Sequence, residues 1–149
     1  HWVADVIKAS NPDIIGLQEV RVHGEAGVNQ LDDLMALLPE YPHTYFQAAL
    51  VAGDFQEGLA VMSRHPLLAV ESTKLYRATG NTDTTQRICI HARIRLPHMQ
   101  IPVDFFVTHL AYAVQPQERQ VLFCIFHTPV CDALVLCIYI SLYSDIYLR

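Results

Sequence analysis

The chain has 149 residues, 52% hydrophobic and 17% charged, a balance that excludes an intrinsically disordered segment and admits one domain with a sizeable core. Ten basic against fifteen acidic residues give a net charge of -5, which excludes a broad electrostatic grip on nucleic acid but leaves room for a local basic groove. Four cysteines (Cys89, Cys124, Cys131, Cys137) form no C-x-x-C pair, so neither a zinc site nor a disulfide framework is expected, and the thiols read as buried in a reducing, cytoplasmic setting.

The chain opens without an initiator Met and without a basic segment followed by a short apolar one, so no signal peptide is read. Trp2, Val3, Val6 and Ile7 recur at helical spacing and stop at Asn11 and Pro12; the chain is expected to begin inside a helix, with a further segment upstream. Ile14, Ile15 and Leu17 then form a short apolar run that reads as an interior strand finishing on Glu19. A carboxylate is rarely buried alone, so Glu19 must face water, an Arg or Lys, or a metal ion. The polar stretch RVHGEAGVNQ reads as a loop outside the core.

Leu31, Leu34, Met35 and Leu38 recur at i, i+3, i+4 and i+7 and predict a second helix that buries one stripe and stops before Pro39. HTYFQAALVA and GLAVMSR read as two strands around a turn at Gly53 and Asp54, and a third strand is expected from Leu67 to Leu75. In RICIHARIR, Ile88, Ile90, Ala92 and Ile94 share one face while Cys89, His91 and Arg93 take the other, the pattern of a half-buried antiparallel strand. VDFFVTHL predicts a strand ending at Thr108 and His109, and Pro116 to Glu118 suit the first turn of another helix. From Val121 the chain turns almost wholly apolar and aromatic, without clear periodicity.

NPDIIGLQEV (11–20), EGLAVMSRHPL (57–67), QR at Gln86 and Arg87 before a strand, and DFFVTHL (104–110) stand in an order that resembles the endonuclease/exonuclease/phosphatase superfamily. These are magnesium-dependent phosphodiesterases with the deoxyribonuclease-like fold. The resemblance covers residues 1–120 and implies an α+β chain: part of a four-layer α/β/β/α sandwich in which two mostly antiparallel sheets pack face to face with helices outside. It implies that Glu19 is a metal ligand for Mg2+, with Mn2+ as a substitute, since a hard ion takes carboxylate oxygens and completes its shell with water and phosphate. It also implies that His109 sits beside the scissile phosphate as proton donor or charge stabiliser, a role that suits an imidazole near neutral pH. Arg87 is read either as a phosphate contact or as a structural ion pair, His65 as an exposed turn residue, and Asn81 and Asp83 as part of a polar loop that either rims a cleft or is simply solvated.

The family also carries an Asn on an upstream strand, a Gly-Asp-x-Asn strand end and a terminal Ser-Asp-His, and none has a counterpart here. The Asp and Asn orient phosphate and nucleophile and the His serves as general base, so the expected chain is a metal-dependent hydrolase of phosphate esters with little activity by itself. Residues 121–149 read as foreign to the fold, from a splice variant, a frameshift or a translated intron, and prone to aggregate if left unpaired in water. A membrane segment over 121–143 is less favoured, because His127, Pro129 and Asp132 interrupt it. Other readings are a non-catalytic binding module on the same scaffold and a membrane-tethered fragment. Small-molecule, lipid-headgroup and nucleic-acid esters all stay open as substrates, with acidity weighing against long nucleic acid.

Overall fold

The computed structural model describes residues 2–77 and 85–110. The helix α1 (Trp2–Ser10) buries Ala4 and Ile7 but leaves Trp2 and Val6 exposed, so only part of the expected apolar set meets the core. Asn11 ends it with φ +49, and its N–H donates to the Ile7 carbonyl at 2.8 Å, a left-handed cap that asparagine tolerates.

Strand β1 (Ile14–His23) does not finish at Glu19 as the sequence suggested. Arg21, Val22 and His23 continue the ladder, and the stretch read as a loop is a hairpin: β1, a turn over Gly24–Gly27, then the short β2 (Val28–Asn29). Polar side chains disguised this strand end because it lies at the sheet margin, where Arg21 is exposed and pairs with Glu57. Asn29 caps α2 (Gln30–Leu37) by accepting the Asp32 N–H, and Asp32 and Asp33 suit the positive end of the helix. Leu31, Leu34 and the capping Leu38 are buried and Met35 packs at the margin, as the spacing predicted.

The hairpin β3 (His43–Ala52) and β4 (Phe55–Ser63) turns at Gly53, whose φ of +63 requires the left-handed region. At that turn Asp54 accepts the Glu25 N–H at 2.6 Å and lies 3.4 Å from His23, interactions that lower its carboxyl pKa, the backbone bond most. Then come β5 (Leu67–Lys74), β6 (Ile88–Ile94) and β7 (Val103–Thr108). The strands form two sheets in the orders β2-β1-β4-β3 and β5-β6-β7, with every pairing antiparallel.

Two apolar layers follow from strand alternation. Ile15, Leu17, Val20, Ala60 and Met62 face α1 and α2, while Leu59 and Val61 meet Ile88, Ile90, Ala92, Ile94, Phe105 and Val107 between the sheets. The described residues thus supply one helical layer, a four-stranded sheet and a three-stranded one, which fits part of the expected sandwich. The outer face of the second sheet is more covered than a half-buried strand implies. Cys89 is buried with Leu75 and Phe106, and His91 stacks on Phe106 between Glu71 (3.1 Å) and Asp104 (2.6 Å).

The corner after β4 also corrects an expectation. His65 is half-buried and its Nε2 lies 3.2 Å from Asp13, so it ties the corner to the start of β1. Beside it Arg64 lies over the Tyr41 ring and bonds Asn11, while the Tyr41 hydroxyl donates to the Pro12 carbonyl at 2.6 Å. Among the described residues no helix is long and apolar enough to cross a membrane. The helix expected from Pro116, Cys124, Cys131, Cys137 and the apolar stretch 121–149 lie outside the described residues, as do Asn81 and Asp83.

Candidate active site

Register places Leu17 opposite Ala60 and Val20 opposite Gly58, so Gln18 and Glu19 together face Leu59 alone. This is a β-bulge, and Glu19 is its left-handed residue, with φ +56. The extra residue shifts the alternation by one, which lets Leu17 and Val20 both point to the helices and turns the Glu19 side chain out of the ladder. On the other side of β4 a second register shift, between Ala48 and Leu50, sets Ala49 apart at the same level. Gly58 lies between the two irregularities, and a Cβ there would meet the Gln47 carbonyl oxygen at 2.0 Å, so only glycine lets β3 approach.

His109 follows β7 directly, in the other sheet. The folded chain nevertheless places its Nδ1 3.8 Å from Glu19 Oε1, with the two side chains 24% and 11% exposed. Both line one small, open cleft, with Glu57, Thr85 and Arg87 as its other polar walls and Leu59 and Ile88 as apolar ones. Arg21 Nε holds Glu57 at 2.9 Å across the strand pair. Arg87 is 7% exposed, and its carbonyl accepts the Leu75 N–H at 2.8 Å and the Gln86 amide at 2.9 Å.

Two residues that the resemblance singled out are therefore brought together, and Arg87 joins them. His65 is at the far end of β4 and takes no part. Sequence reasoning did not single out Glu57 or Ala49, while Thr85 lies in the polar loop that it read as either rimming a cleft or solvated; the glycine inside the EGLA strand pattern was the available signal for an irregular, close-packed segment there.

The donor set limits what the cleft can hold. Among the described residues no three His, Cys, Asp or Glu side chains converge as a cage for a metal. Glu19 is a largely desolvated carboxylate whose nearest ion-pair partner among the described residues is an imidazole 3.8 Å away. One such carboxylate fits a hard divalent cation that keeps several waters and borrows substrate oxygens.

A model of the Endonuclease/Exonuclease/phosphatase family matches residues 1–123. The chain belongs to that family. Its fold is that of an endonuclease/exonuclease/phosphatase protein of Beutenbergia cavernae, at TM-score 0.71 and 25% identity over 86% of this chain and 38% of that one. A family protein of Leptotrichia buccalis matches at TM-score 0.68 and 16% identity, covering 91% of this chain and 57% of its own. A mannosyl-6-phosphatase of Bacteroides thetaiotaomicron matches at TM-score 0.64 and 19% identity, covering 84% and 47%. The chain thus spans 38% to 57% of the length of these family structures. No curated protein gives a match.

Proposed function

We propose that the chain carries half of the site of a divalent-metal-dependent phosphoesterase. The observation that carries this reading is the meeting of Glu19 and His109, from two different sheets, at 3.8 Å over one cleft. Glu19 holds the ion through its carboxylate. A bound Mg2+, or Mn2+ in its place, would act there as a Lewis acid toward the phosphoryl oxygens. His109 donates a hydrogen bond or proton to an oxygen of the phosphate, and Arg87 adds positive charge to the same wall. Leu59 and Ile88 limit water on the inner side, which strengthens these interactions.

The substrate is a phosphate ester, and membership of a family whose relatives include a named phosphatase supports that class. The 149 residues hold neither a Gly-Asp-x-Asn nor a Ser-Asp-His, so nothing matches the family's base for the attacking water. The chain by itself therefore binds metal and phosphate but turns over little. Calorimetric titration with Mg2+, alongside hydrolysis of bis(p-nitrophenyl) phosphate, tests both clauses. Mg2+ binding that Glu19→Gln abolishes, with turnover at background, is the expected result. Unchanged binding in Glu19→Gln refutes the metal role, and turnover that Glu19→Gln removes refutes the low activity.

A further inference from the structure

Glu19 and His109 belong to different sheets, so their separation depends on whatever fixes one sheet against the other at that level. Gln18 immediately precedes Glu19, and it is only 7% exposed. Its Nε2 donates to the carbonyl oxygen of Thr108, the residue before His109, at 2.6 Å. Thr108 is itself anchored, because its hydroxyl donates to the Ile88 carbonyl at 3.0 Å. Two residues before Gln18, Gly16 would place a Cβ 2.8 Å from Val107 Cγ2, so the missing side chain lets β1 and β7 approach closely.

A buried primary amide is unfavourable unless bonded, and an apolar side chain of similar volume fills the same space without that penalty. What the amide adds is direction. The bulge needs it, because its left-handed residue stands outside the regular ladder that fixes ordinary strand residues.

We propose that Gln18 is a positioning residue: its amide clasps the Glu19 bulge to the end of β7 and so sets the distance between Glu19 and His109. The proposal rests on the reading of Glu19 and His109 as one site. Its amide bonds Thr108, the neighbour of His109, and Gln18 is itself the neighbour of Glu19; neither Gln18 nor Thr108 lines the cleft, so Gln18 acts through the residues beside it.

The test uses the full chain and three variants. Gln18→Met keeps length and bulk but removes the donor; Gln18→Asn keeps the donor but shortens its reach, and serves if the first does not fold. Tyr41→Phe deletes a hydrogen bond near the start of β1 and controls for general weakening. Without metal, nuclear Overhauser contacts between the Glu19 side chain and the His109 ring are present in wild type, lost in the folded Gln18 variants and kept in Tyr41→Phe. Contacts that survive in the Gln18 variants, that vanish equally in Tyr41→Phe, or that are missing from wild type overturn the proposal. Mn2+ added to wild type then tests the underlying reading separately. Paramagnetic broadening at His109 supports the metal site, while its absence, with the contacts still dependent on Gln18, rejects the metal site and leaves the clasp standing.

Discussion

Replacing Glu19 by alanine and by glycine isolates the backbone strain at the bulge. Both variants remove the carboxylate, so its desolvation and its attraction to His109 cancel in the comparison. What differs is the left-handed φ of +56, which carries a penalty of about 1–2 kcal/mol for a residue with a Cβ and almost none for glycine. Against that, glycine loosens the unfolded chain, which offsets about 0.4–1 kcal/mol. The glycine variant should therefore be more stable than the alanine variant by about 1 kcal/mol, the reverse of the usual order in a strand. With a urea slope of about 1.5 kcal/mol/M, the unfolding midpoints should differ by about 0.7 M. Urea unfolding followed by circular dichroism reads this directly. An alanine variant equal to or more stable than the glycine variant refutes the strained bulge and the account of how Glu19 leaves the ladder.

Gly58→Ala should lose about 3 kcal/mol, because its Cβ meets the Gln47 carbonyl at 2.0 Å and the flanking strands cannot move apart without breaking the ladder; urea unfolding measures it, and a loss below about 1 kcal/mol contradicts the packing. Tyr41 predicts an alkaline effect. Burial raises its phenol pKa above the ordinary 10.0, opposed by Arg64, so the folded state holds the proton more tightly than the unfolded one. Stability is then full below that ordinary value and falls as pH rises through the folded pKa. Wild type should lose its advantage over Tyr41→Phe on that side in thermal melts, and an advantage that grows instead contradicts the assignment.

Much of the scaffold was legible because alternation and helical spacing report burial directly. Ile88, Ile90, Ala92 and Ile94 line the inter-sheet core, and Leu31, Leu34 and Leu38 face the sheet, as their spacing requires. The second half of β1 was hidden because Arg21 and His23 sit at a margin where pairing does not demand apolar side chains. The bulge was hidden for a related reason. Gln18 and Glu19 look like a strand ending in polarity, whereas the structure uses them to change the phase of the strand, so that Val20 returns to the core. His65 was misread because its partner, Asp13, lies on a distant segment. Glu19 and His109 could be named from their motifs, but their approach depends on how the two sheets stack. No local pattern encodes the Gln18 to Thr108 bond, which spans 90 positions in the chain.

The central claim is that Glu19 and His109 belong to one site for a divalent ion and a phosphate ester. Crystals soaked in Mn2+ and inorganic phosphate, measured for anomalous scattering, test it most directly. The account predicts an anomalous peak within coordination distance of a Glu19 carboxylate oxygen, with phosphate bound in the same cleft. A well-ordered Glu19 with no peak beside it, or a peak held by other residues, contradicts it.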